Sequence, residues 1–196
     1  PHLETAPRPV VSFGQGCEGE PLLQGELLEA AIRLIRSRTA SGTINLNTNA
    51  SRPEVIDRLC VAGLDSLRVS LNSARPDYYR AYYRPAGYDW PEVAESLRIA
   101  RRHKRWISLN YFIFPGFTDD REEIAALIDL VRDHKIDYIQ MRNLNIDPEW
   151  YCDALGLGPA APHAVGILSW MEQIRTKAPW IRFGYFNPPK EEWQAA

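Results

Sequence analysis

The stretch "SFGQGCEGEPLL", residues 12 to 23, brings reactive side chains together in a short space. It holds Cys17, Glu18 and Glu20 among three glycines, and an apolar segment follows at once. Either carboxylate can pair with an amine, Glu18 can instead cap the following helix, and Glu20 can act as a general acid or base. The Cys17 thiol can contact a substrate or supply a hydrogen atom, or can simply pack in a tight turn. The residue types predict a ligand-binding turn or a plain strand-to-helix connection.

Polar side chains also alternate with apolar ones in four later segments, "TINLNTN", "SLRVSLN", "SLNYF" and "IQMRN". Because side chains of a strand point to opposite faces in turn, each segment has one polar face. A buried polar face needs partners for its amides and hydroxyls, at about 1 to 3 kcal/mol each. The pattern indicates either hydrogen-bonded ladders between strands or a cavity for a ligand rich in donors and acceptors. The polar residues are Asn45, Asn47, Asn49, Arg68, Ser70, Asn72, Ser108, Asn110, Gln140 and Arg142.

Arg142 ends one of these segments. A guanidinium at a strand end suits a carboxylate or a phosphate of a substrate, and the other interpretation is an ion pair with a neighbouring strand. We keep both.

Short strand-like runs alternate with longer helix-like runs, which is the pattern of βα units around a parallel sheet. We therefore predict an α/β fold whose polar strand faces line a barrel or an open half-barrel. The reactive edge of such a fold is the carboxyl edge of its strands. The predicted strands are Val10 to Phe13, Thr43 to Thr48, Ser66 to Leu71, Trp106 to Phe112, Ile136 to Met141 and Trp180 to Phe186.

Three helix starts carry local signals. A first helix is predicted over Leu22 to Ser37, from apolar residues at helical spacing. "SRPE", beginning at Ser51, has the spacing of a capping box. A later helix begins at Asp119 or Asp120, with Glu122 and Glu123 in the first turn, where carboxylates suit the helix dipole.

Length and composition fit a single globular domain over residues 1–196. For residues 148–196 the sequence predicts only a C-terminal helix and a strand. The chain has 196 residues, a net charge of -2 and 45% hydrophobic residues. No apolar run approaches the roughly 18 residues of a membrane span, and no secretion signal is visible, so we expect a cytoplasmic protein. Charges this balanced give no reason to expect nucleic acid. The start at Pro1, without Met, suggests a piece of something longer.

The three cysteines, Cys17, Cys60 and Cys152, are far apart and odd in number. This spacing argues against a disulfide framework and against a complete metal-binding cluster, so we expect no metal ligands in this chain.

The segment "GEPLL" resembles the Gly-Gly-Glu-Pro motif of the radical S-adenosylmethionine (radical SAM) superfamily. Gly19, Glu20 and Pro21 match it, and Glu18 stands where the first glycine often lies. "NLNTN", "RVSLNSA" and "NYFIFPGFTD" resemble the following strand ends of that family, in the same order and spacing. The resemblance extends to about Asp147, and its strength lies in the ordered set.

The resemblance implies a partial (β/α)6 TIM-type barrel that binds S-adenosylmethionine and a [4Fe-4S] cluster. The family cleaves S-adenosylmethionine reductively, with electrons from a donor such as a ferredoxin or a flavodoxin, and its 5′-deoxyadenosyl radical takes a hydrogen atom from a substrate, which is unknown here. Carried over by position, Gly19 and Glu20 hold the methionine amino group, and Thr48 or Asn49 holds the carboxylate or the ribose. Ser70 and Asn72 hold the ribose, while Asn110 and the backbone near Met141 line the adenine. Cys17, Glu18 and Arg142 are substrate candidates.

The family's C-x-x-x-C-x-x-C cluster loop has no counterpart in this sequence. Val10 to Phe13 matches the family's second strand, so we expect the first βα unit and the cluster loop to lie before Pro1. This chain alone is then inactive. Two other hypotheses stay open. One is a metal-free hydrolase or lyase that uses Glu20 with Glu18 or Asp147, and the other is a non-catalytic nucleoside-binding module.

Overall fold

The computed structural model describes residues 1–14, 19–158 and 163–193. Helices and strands alternate along most of this length, as the hydrophobic pattern predicts. The strands are β1 (Val10–Phe13), β2 (Thr43–Thr48), β3 (Ser66–Leu71), β4 (Trp106–Ile113), β5 (Tyr138–Asn143) and β6 (Arg182–Gly184). The helices are α1 (His2–Thr5), α2 (Gly25–Arg38), α3 (Pro53–Ala62), α4 (Pro76–Tyr83), α5 (Trp90–Arg102), α6 (Arg121–Asp133), α7 (Pro148–Leu155) and α8 (Ile167–Lys177). Two 3-10 turns cover Pro21–Gln24 and Lys190–Glu192.

The six strands form one parallel sheet in sequence order, and the sheet is open within the described residues. Val10 pairs with Thr43 in the first pair of strands, Asn45 pairs with Ser66 in the second, and Tyr138 pairs with Arg182 in the last. Parallel strands need a crossover between them, which the intervening helices supply. The predicted α/β class with parallel strands is confirmed.

The chain divides into two compact units, which we describe separately. Unit 1 contains residues 1–70, 91–108 and 186–196, and unit 2 contains residues 71–90 and 109–185. Ile32, Ile44 and Leu59 are fully buried in unit 1, and Tyr111, Tyr151 and Trp170 are fully buried in unit 2.

The predicted bounds of β1, β2 and β3 are confirmed residue for residue. The last strand is shorter than predicted and ends at Gly184, because Tyr185 and Phe186 turn into solvent, with 70% and 83% of their surface exposed. The predicted capping box is wrong. The residue before α3 is Arg52, which makes no side-chain capping bond, because Pro53 takes the first helical position that its fixed φ favours.

Residues 186–193 of unit 1, here called the C-terminal strap, run back to the amino ends of β2 and β4. The backbone N–H of Lys190 donates to Thr43 Oγ1 at 2.8 Å, and its ammonium donates to the carbonyl of Ala40 at 2.7 Å. Trp193 stacks on Trp106 with 5.2 Å between ring centroids. The strap therefore packs against the amino ends of β2 and β4 within unit 1.

None of the helices in the described part of the chain is long and apolar enough to span a bilayer.

Candidate functional site

Glu20 joins the chain after β1 to the end of β2 in unit 1. Its Oε1 accepts hydrogen bonds from Leu22 N–H at 3.0 Å and from the Thr48 hydroxyl at 2.6 Å. Its Oε2 accepts one bond, from Asn49 N–H at 2.7 Å. Since each carboxylate oxygen has two acceptor positions, Oε2 has one that no described residue occupies, and this position suits a further donor such as an ammonium group.

Gly19 leaves open space beside this carboxylate. Its φ of +81° lies in the left-handed region, which favours glycine, and a Cβ built on it would meet no atom of the described residues within 4 Å apart from its chain neighbours. Within the described part of the chain, a ligand can therefore approach the backbone next to Glu20.

Thr48 and Asn49 act on this turn in different ways. The buried Thr48 hydroxyl donates to Glu20 and accepts from Ala50 N–H at 3.0 Å, so its single donor is committed within the protein. Asn49 Oδ1 accepts from Ser51 N–H at 3.0 Å and shapes the entry to α3. Ser70 is half-buried near the end of β3. Of these residues, Thr48 is the one whose side chain holds Glu20 in place.

The polar face of β2 is a ladder over most of its length. Asn45 Nδ2 donates to Ser12 Oγ and to Asn47 Oδ1, at 3.2 and 2.9 Å. Asn47 Nδ2 donates to the carbonyl of Gly14 at 2.7 Å, and Asn187 of the strap donates to Asn47 at 3.3 Å. These amides satisfy one another, so the ladder interpretation holds for Asn45 and Asn47.

Asn72, in unit 2, directly follows β3 and is fully buried. Its Nδ2 donates to the carbonyl of Tyr78 at 3.1 Å and to the hydroxyl of Tyr151 at 3.3 Å. Its Oδ1 is buried and has no hydrogen-bond partner among the described residues. An unsatisfied buried carbonyl oxygen is costly, so this atom is suited to accept a bond from a ligand.

Asn110 on β4 shows the same feature in the same unit. Its side chain is 5% exposed, and its Oδ1 lacks a hydrogen-bond partner within the described chain. Met141, on β5, is half-buried.

Glu123 is a buried carboxylate that the sequence analysis placed only as a complement to a helix dipole. It is 1% exposed in the first turn of α6, where it accepts from Ser73 Oγ at 2.7 Å, from Ala74 N–H at 2.8 Å and, through a short hydrogen bond, from the Tyr111 hydroxyl. Burial raises the pKa of Glu123, and burial together with this carboxylate raises the pKa of Tyr111 well above its usual value. The helical spacing of the sequence could have indicated this burial, because Glu123 lies on the same buried face of α6 as Leu127 and Leu130.

The residues predicted to contact a substrate differ in where they lie. Cys17 and Glu18 lie outside the described residues. Arg142 is exposed at the end of β5, and its guanidinium lies 5.8 Å from the ring centroid of Phe112. Asp147 accepts from Trp150 N–H at 2.8 Å and caps α7.

The described cysteines do not form a metal site. Cys60 is fully buried, and burial raises the pKa of its thiol to about 11, whereas Cys152 is only half-buried. No group of three or more His, Cys, Asp or Glu residues that could hold a metal ion exists in residues 1–14, 19–158 and 163–193.

Comparison with known families identifies the class of protein. Residues 6–128 match the model of the Radical SAM superfamily, and the chain belongs to this superfamily. The family uses S-adenosylmethionine and a [4Fe-4S] cluster.

The similar curated proteins are GTP 3′,8-cyclases. The chain is 33% identical to the protein of Marinobacter nauticus over 123 residues, which cover 61% of this chain and 35% of the relative. It is 30% identical to that of Alkaliphilus oremlandii over 136 residues, 67% of this chain and 41% of the relative. The chain thus spans well under half the length of these relatives.

Solved structures of the family share the fold. A domain of pyruvate-formate lyase-activating enzyme from Bacteroides vulgatus aligns with a TM-score of 0.63 at 13% identity, covering 89% of this chain and 98% of that domain. Coproporphyrinogen III oxidase from Escherichia coli, described as a radical SAM enzyme, aligns with a TM-score of 0.59 at 17% identity over 86% of this chain and 40% of its own. These neighbours are TIM-type barrels.

The described residues fit one of the family's two cofactors. In unit 1 the Glu20 carboxylate is an acceptor suited to an ammonium group, and in unit 2 the amide oxygens of Asn72 and Asn110, which lack a partner among the described residues, are acceptors suited to hydroxyl or amino groups; S-adenosylmethionine carries donors of these kinds. An iron-sulfur cluster requires closely spaced thiolates, and the described cysteines do not provide them.

Proposed function

We propose that the full-length protein is a radical SAM enzyme and that this chain provides residues for its S-adenosylmethionine site. The observation that carries the proposal is the pair of buried, unpaired amide oxygens of Asn72 and Asn110 in a chain of this superfamily. When bound, S-adenosylmethionine supplies the 5′-deoxyadenosyl radical with which the family removes hydrogen atoms from substrates.

In this proposal the methionine end of the cofactor binds at the turn after β1. The free acceptor position of Glu20 Oε2 takes a charge-assisted bond from the amino group, and Gly19 lets that group approach the backbone. Asn49 contributes to the same end, while Thr48 keeps the carboxylate oriented. The Glu20 carboxylate therefore acts as an acceptor and not as a proton shuttle.

The nucleoside end is assigned to residues at the end of β3, directly after it, and on β4 and β5. Asn72 Oδ1 accepts from a ribose hydroxyl, and Ser70 contributes a second polar group. Asn110 Oδ1 is an acceptor for the adenine amino group, and the backbone near Met141 lines the ring. The bonds to Asn72 and Asn110 each satisfy an oxygen that has no partner among the described residues.

The remaining parts of the reaction lie outside the described residues. We propose that cysteines beyond them hold the [4Fe-4S] cluster, and that an external donor such as a ferredoxin or a flavodoxin reduces it. A cytoplasmic location belongs to this proposal, because such donors act there. The substrate is open. Arg142 suits a substrate with a carboxylate or a phosphate, and GTP is the first compound to test because the curated relatives are GTP 3′,8-cyclases.

The test is made on the full-length protein after anaerobic reconstitution of the cluster. Calorimetry should show S-adenosylmethionine binding, and a chemical reductant should then release 5′-deoxyadenosine. Asn72→Ala and Asn110→Ala should each weaken binding about 3- to 10-fold, as expected for one hydrogen bond. Asn143→Ala, which removes an exposed amide at the end of β5, is the matched control.

Two results would contradict the proposal. Binding without release of 5′-deoxyadenosine would support a non-catalytic nucleoside-binding module. Activity without metal or reductant that is lost in Glu20→Gln would support the hydrolase or lyase hypothesis. The structure does not favour the latter, because Glu20 is held by three donors and Asp147 caps a helix.

A further inference from the structure

The Glu123 carboxylate in unit 2 has no role in the chemistry proposed above, yet it is almost completely buried. Its three donors are neutral: a hydroxyl of Ser73, the backbone N–H of Ala74 and the hydroxyl of Tyr111. An isolated buried carboxylate costs far more than a buried apolar side chain unless hydrogen bonds compensate it. A buried carboxylate that carries this desolvation cost is expected to hold polar groups in place through hydrogen bonds that an apolar residue cannot make.

The segment that Glu123 fixes is the turn that leaves β3. Ser73 and Ala74 immediately follow Asn72, and both are hydrogen-bonded to the same carboxylate. The Tyr111 hydroxyl also accepts from Ala74 N–H at 3.1 Å, and Ser73 Oγ accepts from Arg75 N–H at 3.0 Å. The backbone after Asn72 is thus held by Glu123 on α6 and by Tyr111 on β4. The turn itself contributes only one side chain to this network, the Ser73 hydroxyl.

The amide of Asn72 is oriented by a second set of contacts. The Tyr78 carbonyl can only accept, so it determines which end of the amide is Nδ2. The Tyr151 hydroxyl, on α7, accepts from the same Nδ2. With both donor contacts on the nitrogen, Oδ1 is the atom that has no partner in the described part of the chain.

We infer that Glu123 and Tyr151 are positioning residues that present Asn72 Oδ1 to the nucleoside of S-adenosylmethionine. Glu123 fixes the two residues that follow Asn72, Ser73 and Ala74, and Tyr151 fixes the rotation of the Asn72 amide. This inference rests on the proposed function and adds the means by which the chain prepares its acceptor before the cofactor arrives. Preorganised hydrogen-bonding groups bind more tightly because less ordering remains to be done on binding.

The experiment measures S-adenosylmethionine affinity by calorimetry on the cluster-loaded full-length protein without reductant, so that no turnover occurs. Glu123→Ala should weaken binding about 3- to 10-fold, the loss expected for one hydrogen bond. Glu123→Gln, which keeps the shape and some of the acceptor contacts, should recover part of this loss. Tyr151→Phe keeps the ring and removes the hydroxyl, and should weaken binding about 2- to 5-fold.

Asp129→Asn is the control. Asp129 is a carboxylate on the same helix, α6, and its side chain is exposed. Its replacement should leave the affinity unchanged.

The decisive comparison is a double-mutant cycle with Asn72→Ala. If Glu123 acts through Asn72, Glu123→Ala should change the affinity less than about twofold once the Asn72 amide is gone. Full additivity would overturn the inference, because it would show that Glu123 acts on the fold in general. If Glu123→Ala fails to fold, the same cycle with Glu123→Gln and Tyr151→Phe decides the question.

Failure of the proposed function gives a different result from failure of this inference. Wild-type protein that does not bind S-adenosylmethionine contradicts the proposed function. Wild-type protein that binds, and that loses affinity in Asn72→Ala but not in any Glu123 or Tyr151 variant, contradicts only the positioning roles.

Discussion

The hydroxyl of Thr48 donates a 2.6 Å hydrogen bond to Glu20 Oε1 and thereby joins the turn after β1 to the end of β2. Asn49 N–H holds the other oxygen of the same carboxylate at 2.7 Å. The carboxylate is therefore oriented before any ligand binds, and its one remaining acceptor position has a defined direction.

We expect Glu20→Gln to destabilise unit 1 and to weaken S-adenosylmethionine binding together. The amide replaces one acceptor oxygen by a donor that faces Thr48 or Asn49, which costs about 1 to 3 kcal/mol in the free energy of unfolding. Urea unfolding and calorimetry on the full-length protein measure the two effects. Glu26→Gln, in the exposed first turn of α2, should change neither. Unchanged affinity in Glu20→Gln would contradict the assignment of Glu20 to the amino group.

Gly19→Ala is expected to lower the free energy of unfolding by about 1 to 2 kcal/mol, because an L side chain is strained at a φ of +81°. Gly158→Ala, which adds the same methyl group in open space without a positive φ, should be close to neutral. If a ligand occupies the space beside Gly19, Gly19→Ala should weaken S-adenosylmethionine binding by more than the unfolded fraction of the variant accounts for. A loss limited to stability would show that the glycine serves the turn alone.

The stability of the protein should depend on pH through Glu123. Burial raises the folded-state pKa of this carboxyl above its ordinary value of 4.5. Its contribution to stability is therefore fully present below that value, and it is lost as the pH rises through the raised pKa. The free energy of unfolding of wild type relative to Glu123→Gln should fall as the pH rises above the ordinary carboxyl pKa of 4.5, and urea titrations at several pH values measure it. A difference that is constant over this range would mean that the pKa is not raised.

The two described cysteines should differ in reactivity. The Cys60 thiol is buried and its pKa is raised to about 11, so almost no thiolate is present near neutral pH. Iodoacetamide should label Cys152 in the folded protein and should reach Cys60 only after unfolding, as mass spectrometry of the peptides can show. Cys60→Ala should leave the iron content of the reconstituted full-length protein unchanged. Loss of iron in that variant would contradict the view that Cys60 is a core residue.

The local parts of this fold could be predicted from sequence, and the long-range parts could not. Alternation along β2 and β3 placed both strands with correct bounds, and it identified the polar amides at their ends. The same alternation could not separate Asn47, which is hydrogen-bonded to Gly14 and Asn187, from Asn72, whose amide oxygen has no partner among the described residues. That distinction depends on partners from other parts of the chain.

Glu123 illustrates the limit more sharply. Its position in a first turn predicted a role toward the helix dipole, and that position is correct. Its actual partners, Ser73 and Ala74, lie about 50 residues earlier, and no local pattern connects them. The hydroxyl of Tyr151 is 79 residues from the amide that it orients. Only the tertiary structure brings these groups together.

The C-terminal strap has a consequence for biosynthesis. Lys190 is bonded to Thr43 across 147 residues, and Arg8 is bonded to Glu192 across 184. During translation, β1 and β2 leave the ribosome long before residues 186–193 are made. The amino ends of these strands therefore stay without the strap contacts until the strap has been synthesised. Contacts of such long sequence separation slow folding, because a long loop must close before they form. We therefore expect nascent unit 1 to be recognised by chaperones, and its protease resistance to arise only once the strap has emerged.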